Sequence, residues 1–420
     1  MQAKAPRGTF DVMPGEIFKW HHIEKTIKET AEIFGYSEIR TPIFEHTELF
    51  ERGVGDTTDI VSKEMYTFKD RSNRSLTLRP ENTASCVRAF IEHSVAGGIL
   101  PAKWYYLGPM FRYDRPQAGR YRQFHQFGVE AFGSNNPQLD AEIISLLLQI
   151  LTKLGLQDYE LHLNSVGCPQ CREVYRKQLV GYIGPFKDQL CADCLARYEK
   201  NPLRVLDCKV PSCQEAIAGF PYIYDYLCAD CLEHYSKLRN TLDDNQIDYV
   251  HDNQLVRGLD YYTNTAFEVH IPQIGAQSAI GGGGRYNGLV KACGGPNIPG
   301  IGFAMGLERL LLALESLDDQ QYKDHKLDVF LAVMDGKYEA QSVKILTQLR
   351  QAGIKADKDY NGRSGKAQMK YADKLGARGV ILLGEDEMRR NIYTLRNMDS
   401  KEQIEVPADH LIDAIKKFLI

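Results

Sequence analysis

The 420-residue chain has no long hydrophobic run. A membrane-spanning helix needs about 20 consecutive apolar residues, so none is expected and no membrane partner is implied. The opening stretch, Met1-Gln2-Ala3-Lys4-Ala5-Pro6-Arg7-Gly8, has no apolar segment behind it. Neither a signal peptide nor a transit peptide is therefore expected, and the protein should be cytoplasmic. Excess charge of either sign is also missing. Lys and Arg number 51 and Asp and Glu 55, a formal net charge of -4, so no global basic field draws a polyanion and such a partner must be met by local clusters. The usual glycine-rich phosphate loops are missing too. The run Gly281-Gly282-Gly283-Gly284 leads into Arg285, with no Lys-Ser or Lys-Thr at the needed spacing and no strand-to-helix context. On a strand, such a run lets a flat group approach the backbone closely. Cysteine is scarce outside one segment: eight of the ten lie between Cys168 and Cys231. In the cytosol they are thiols or metal ligands rather than a disulfide framework.

What is present suggests a globular chain of two or three domains, with 43% apolar and 25% charged residues. The stretch Gly108 to Gly133 is the most distinctive. Arg112, Arg115, Arg120 and Arg122 crowd together, interleaved with Phe111, Tyr113, Tyr121 and Phe124. Pro116 and Gly119 break the middle, which predicts two strands joined by a loop. A strand carrying Phe111 and Tyr113 would send Arg112 to the opposite face. The returning strand would put Phe124, Gln126, Gly128 and Glu130 on one face. Such a hairpin could hold an anion at one end and a polar group at the other; the alternative is a charged surface hairpin.

Before it, helical spacing runs from Pro14 to Phe34, and Gly35 ends that helix. Ser37 to Phe44, with Pro42 inside, reads as a strand that cannot be central; such an edge could meet a second subunit. Leu76 to Arg79 reads as a strand running into Pro80-Glu81-Asn82-Thr83, with a helix at Ala84 to Phe90. Glu81 and Thr83 there either face a ligand or simply start the helix, Thr83 as its cap. After the hairpin, Asn136-Pro137 opens a helix with Leu139, Ile143, Leu146, Leu147, Ile150 and Leu154 on its buried face. Tyr159 to Val166 alternates like a strand.

The next segment is helix-rich, polar and dense in cysteine. Its four close pairs are Cys168/Cys171, Cys191/Cys194, Cys208/Cys213 and Cys228/Cys231. Three have the C-x-x-C spacing that lets two thiolates share a tetrahedral metal. The segment reads as an inserted subdomain, at about 168–245, with little core of its own. Two four-thiolate zinc sites would help it fold; free thiols are the alternative. Strands resume from Ile247 to Ile271, and Arg309 falls early on a helix after Gly306. Ser316 to Lys326 reads as a linker. From Leu327 the chain alternates strand and helix, with strands at Val329–Val333, from Ile354, at Gly379–Leu383 and at Ile392–Leu395, and a last helix at Pro407–Leu419. That pattern implies a small sheet with parallel strands and covering helices. This part has 16 Lys or Arg against 14 Asp or Glu.

Three of these stretches resemble motifs of class II aminoacyl-tRNA synthetases: 15–44 motif 1, the hairpin at 111–130 motif 2, and Gly306-Leu307-Glu308-Arg309 motif 3. Two more peptides, Leu78-Arg79-Pro80-Glu81-Asn82-Thr83 and Leu255-Val256-Arg257-Gly258-Leu259-Asp260-Tyr261-Tyr262, resemble those of histidyl-tRNA synthetases. The likeness covers essentially the whole chain. It implies an α+β catalytic domain over 1–325 with a mainly antiparallel sheet and the helical insertion. It also implies an α/β anticodon-binding domain over 326–420. The activity it implies joins histidine to ATP as histidyl-adenylate, with release of pyrophosphate, and then passes the histidyl group to tRNA-His with release of AMP. Mg²⁺ would bridge the phosphates, and a homodimer would form through the motif 1 region.

The resemblance also carries residue roles. Arg112 and Arg257 would meet the α-phosphate and Arg309 the γ-phosphate, and these three would be the catalytic residues. Arg120 would serve ATP or, with Arg122, the tRNA acceptor stem. Glu81, Thr83 and Gln126 would surround the α-amino group of histidine, and Glu130 and Tyr261, with Tyr262 beside them, its imidazole. Arg112 and Arg257 would reach the same amino acid. Tyr360 and Arg363 are candidates for anticodon contact. Non-catalytic histidine-binding relatives lack the C-terminal domain and lose catalytic arginines, whereas this chain keeps Arg112, Arg257, Arg309 and residues 327–420. A sensor fused to a kinase would need a kinase segment, and none is present.

Overall fold

The computed structural model describes residues 3–55, 58, 60–200, 202–206, 208, 210–255, 261–316 and 327–419. They form two compact units, Met1–Asp318 and Asp319–Ile420. The expected linker, apart from Ser316, lies outside the described residues, as do Val256 to Asp260 with Arg257.

The first unit is built on an eight-stranded sheet. Its order is Ser37–Glu38, Ala102–Phe111, Gln123–Phe132, Gly300–Gly306, Ala279–Arg285, Thr263–His270, Glu160–Ser165 and Val250–His251. The two outermost pairings are parallel and every pairing between them is antiparallel. Strand period fixes which side chains go where. Phe127, Val129 and Ala131 point to one face and are fully buried there. They pack against the helices Ile17–Ile33, Pro137–Lys153 and Leu307–Glu315. Gln126, Gly128 and Glu130 therefore take the other face.

The helix Pro137–Lys153 shows how sequence becomes packing. Asn136 accepts a hydrogen bond from the Gln138 N–H (3.0 Å) and caps it. Pro137 sits where its missing N–H costs nothing. Ile143, Leu146, Leu147 and Ile150 then return every turn and are fully buried. Truncating such a leucine to alanine typically costs about 2–5 kcal/mol. Asp140, also buried, anchors the helix to the sheet through Arg285 (2.5 and 2.9 Å), with Thr265 (2.6 Å) completing the pairing.

Several boundaries differ from the sequence reading. The stretch around Pro42 is two short strands in different sheets. Ser37–Glu38 is an edge of the large sheet, and Phe44–His46 pairs with Ser75–Leu78 in a three-stranded sheet. Proline at 42 lacks the N–H that a continuous ladder would need. The hairpin strand ends at Phe111, so Arg112 and Tyr113 belong to the loop and strand alternation does not orient them. Thr83 is the first residue of its helix, Thr83–Glu92, not its cap.

The insertion does have a core of its own, made of Tyr175, Leu179, Ile183, Val205, Phe220 and Ile223 together with Cys194, Cys208 and Cys213. The second unit holds a five-stranded sheet in the order Ala356–Lys358, Leu327–Val333, Ala377–Leu383, Ile392–Asn397, Gln403–Pro407. Its first three strands are parallel, as the alternation implied. The last two add antiparallel. Pro407 ends a strand, and the final helix begins at Leu411.

Candidate active site

The polar face of the hairpin opens into a cavity of about 380 Å³. Glu81, Thr83, Arg112, Arg120, Gln126, Glu130, Tyr261, Tyr262 and Arg309 all line it. These residues come from four separate stretches of chain. Arg257 lies outside the described residues.

One part of the cavity is cationic. Arg112 donates from Nε to the Pro80 carbonyl (2.8 Å) and lies 5.2 Å from the centre of the Phe124 ring. Arg309 leaves the sheet at the start of the helix Leu307–Glu315 and bonds to the carbonyls of Ala279 and Gly119. Arg120 pairs with Asp114. Burial pushes the pKa of both Arg112 and Arg309 down, and Arg120 pushes both the same way. An arginine stays charged regardless, so crowding makes this region avid for an anion. Glycines 281 and 282 line the same cavity without side chains.

The other part is a cluster of hydroxyls around one carboxyl. Glu130 is buried. It accepts from Thr83 Oγ1 (2.8 Å), Tyr286 Oη (2.5 Å) and Tyr106 Oη (3.5 Å). Burial pushes its pKa up to about 8, although the Tyr286 and Thr83 hydrogen bonds favour the ionised form. Burial also raises the phenols of Tyr106, Tyr261 and Tyr286 well above their ordinary range, so they remain donors. Tyr261 packs between Tyr262, tilted at 4.8 Å, and Tyr286, edge-on at 5.8 Å. Two glycines make room for this cluster. Gly302 stands opposite Glu130 in the ladder, and a β-carbon there would come within 2.2 Å of Glu130 Oε2. A β-carbon on Gly128 would come within 2.3 Å of the Tyr106 hydroxyl.

Glu81 and Gln126 line the same cavity. Glu81 accepts from the backbone N–H groups of Thr83 (2.7 Å) and Ala84 (2.9 Å), so it both caps the helix and lines the cavity. Burial raises its pKa while those N–H groups lower it. Among the described residues, the buried Oε1 of Gln126 has no hydrogen-bond partner. Elsewhere, Arg122 stacks on Tyr113 (4.0 Å) against Gly8 and does not line the cavity. In the second unit Tyr360 is exposed, whereas Arg363 bonds Asp359 and stacks on Tyr371 (4.2 Å).

Tyr106, Tyr286 and Gly302 were not singled out from the sequence. Tyr286 follows the glycine run, and that adjacency was the available signal. The cysteines form two groups: Cys168, Cys171, Cys228 and Cys231, and Cys191, Cys194, Cys208 and Cys213. None of them lines the cavity.

An antiparallel sheet that carries an arginine hairpin, and whose strand Gly300–Gly306 runs straight into a helix bearing Arg309, defines the catalytic domain of a class II aminoacyl-tRNA synthetase. Comparison with known proteins narrows this. The family described as histidyl-tRNA synthetase matches residues 8–171 and 216–310, and the anticodon binding domain matches 328–418. The histidine--tRNA ligase of Syntrophomonas wolfei is 63% identical over 419 residues, covering 100% of this chain and 99% of the relative. That of Desulforamulus reducens is 54% identical, covering 99% of each. The crystal structure of apo histidyl-tRNA synthetase from S. aureus superposes with a TM-score of 0.83 at 42% identity, covering 99% of this chain and 100% of the other. The chain belongs to the histidyl-tRNA synthetase family.

Proposed function

We propose that this cavity binds L-histidine and ATP together, joins them as histidyl-adenylate with release of pyrophosphate, and passes the histidyl group to tRNA-His with release of AMP. The observation that carries the reading is that one cavity combines an arginine-rich region with a buried carboxyl–phenol cluster. The first suits a triphosphate and the second an imidazole.

In the adenylation step the histidine carboxylate attacks the α-phosphorus of ATP, and the bond to the bridging oxygen of pyrophosphate breaks. Negative charge spreads over the phosphate oxygens. Arg112 is positioned to meet it at the α-phosphate and Arg309 at the γ-phosphate, each fixed by a backbone carbonyl. Arg257 is assigned to the α-phosphate by its place in the Leu255–Tyr262 peptide. Preorganised donors of this kind are worth about 2.7–4 kcal/mol each. Mg²⁺ would accompany the nucleotide. Hard oxygen donors suit it, and Glu268 and Glu308 line the cavity near Arg309.

Selection of histidine follows from hydrogen-bond inventory. A neutral imidazole has one N–H donor and one acceptor nitrogen. Glu130 takes the N–H and the Tyr261 phenol serves the other nitrogen. The Gln126 oxygen and Glu81 accept from the α-ammonium. A side chain without the two nitrogens would leave buried polar groups unpaired, a penalty that supports about 10⁴–10⁵ discrimination without editing.

Partners follow the same reading. The Leu327–Leu419 unit would meet the tRNA anticodon, with exposed Tyr360 available for stacking. Arg120 would contact ATP or the acceptor backbone, alongside Arg122. The exposed apolar Ile43, Phe44 and Phe68 favour a homodimer through the motif 1 region. No helix among the described residues is long and apolar enough to cross a membrane. Acylation of purified tRNA-His with labelled histidine tests the proposal. Charged tRNA should accumulate with ATP present and not without it; failure under both conditions would contradict it.

A further inference from the structure

We infer that the two cysteine clusters are tetrahedral zinc sites with different duties: one folds the insertion, and the other braces the histidine pocket.

The metal claim rests on geometry. In each cluster the four Sγ atoms lie within 4.8 Å of one another. Four thiolates about 2.3 Å from a tetrahedral zinc are ~3.8 Å apart. Cys168 and Cys171 are 3.5 Å apart and Cys191 and Cys208 are 3.9 Å apart. These spacings are too long for a disulfide, which needs about 2.05 Å, and all eight cysteines are free thiols.

The surroundings also suit thiolates. Each C-x-x-C pair straddles a helix start: Cys168 with Pro169–Ile183, Cys191 with Ala192–Lys200, Cys228 with Ala229–Asp244. A helix N-terminus favours negative charge. N–H groups also point at the sulfurs. Cys228 N donates to Cys171 (3.1 Å), Cys191 N to Cys213 (3.2 Å) and Val210 N to Cys208 (3.5 Å). Such outer contacts orient and stabilise metal ligands.

The clusters occupy different places. Cys191, Cys194, Cys208 and Cys213 lie inside the insertion, and three of them belong to its core. The other four join the point where the chain enters the insertion, at Cys168 and Cys171, to the first turn of its last helix, Ala229–Asp244, at Cys228 and Cys231. Their neighbour Gly167 is packed so tightly that a β-carbon would come within 2.7 Å of Cys171. Asn264 ties this neck to the catalytic sheet. Its amide donates to Cys231 (3.4 Å), its backbone N–H donates to Gly167 (3.0 Å), and its carbonyl accepts from Val166 (2.7 Å). Asn264 lies two residues beyond Tyr262, which packs with Tyr261, Val166 and Ala266. The bracing role rests on the proposed histidine pocket; the metal content does not.

Metal analysis of the full chain, purified without chelator, should find two zinc ions per chain. Reconstitution with cobalt(II) under reducing conditions should give the intense visible absorption of a tetrahedral tetrathiolate. Cys191→Ser/Cys194→Ser should hold one zinc and keep its KM for histidine in pyrophosphate exchange. Cys168→Ser/Cys171→Ser should also hold one zinc, with KM for histidine raised about tenfold and kcat within about twofold. Iron in place of zinc, neither metal in the wild-type chain, or no cobalt tetrathiolate would overturn the metal assignment. Equal KM values in the two variants would overturn the bracing role alone. If neither the wild type nor any variant activates histidine, the pocket reading fails while the zinc count still decides the metal claim.

Discussion

Thr83 Oγ1 donates to Glu130 Oε1 across 2.8 Å, joining the first turn of one helix to the middle of a hairpin strand. Both residues are buried, and Tyr286 approaches the same carboxyl from a third stretch of chain. The carboxyl is thus held by groups that are neutral donors, in a place where burial favours its protonated form.

This fixes a pH dependence. The Glu130 carboxyl is raised from 4.5 to about 8 in the folded protein, so the folded site holds a proton more tightly than the unfolded chain. The stability it adds is complete below about pH 4.5 and lost as pH rises through about 8. Glu130→Gln removes that titration. The difference in unfolding free energy between wild type and Glu130→Gln, followed by ligand-free denaturation, should therefore shrink from wild type's side across that interval. Curves that run parallel from pH 5 to 8 would show that the burial effect is absent.

Tyr286→Phe removes one donor to Glu130 and leaves the ring in place. With the carboxyl largely protonated at neutral pH, the lost hydrogen bond is one between neutral groups, worth about 0.5–1.5 kcal/mol. KM for histidine should rise roughly two- to tenfold while KM for ATP stays near its wild-type value. A change confined to ATP would place the effect elsewhere.

Arg309→Ala should slow histidine-dependent pyrophosphate exchange by roughly 10²–10³. Equilibrium binding of histidine should change little, because Arg309 is assigned to phosphate. Arg257→Ala should behave alike, with histidine and ATP bound and the chemical step slow. Lost histidine binding with intact chemistry would refute either assignment.

Glycine supplies a packing test. Gly302→Ala would press a methyl group into Glu130 and the Val129 carbonyl, each 2.2 Å from the β-carbon. It should lower stability and histidine affinity together. Gly181→Ala lies in the helix Pro169–Ile183 with nothing within 4 Å of its β-carbon, and should stabilise by about 0.4–1 kcal/mol. Thermal unfolding of the two variants should move in opposite directions.

Much of this was legible in the sequence, for identifiable reasons. Strand alternation put Gln126 and Glu130 on one face, and the buried Phe127, Val129 and Ala131 took the other. The cap at Asn136 and the glycine after Leu154 bounded a long amphipathic helix. Other features depend on which strands become neighbours, and alternation says nothing of that. Tyr106, Tyr286 and Gly302 meet Glu130 only because their strands or turns converge on it. The cysteine spacing marked pairs suited to a shared metal, but only the fold groups Cys168/Cys171 with Cys228/Cys231. Gln403–Pro407 reads as a polar loop because it is an edge strand with Gln403 and Glu405 exposed. The sequence leaves Glu81 as either a helix-start residue or a ligand group; in the fold it accepts from the first N–H groups of a helix and lines the cavity at once.

The most direct test of the account is pyrophosphate exchange into ATP, run separately with each of the amino acids on the full-length wild-type protein. Exchange with histidine and with no other amino acid is the predicted result. Exchange with a different amino acid, or histidine binding without any exchange, would contradict it.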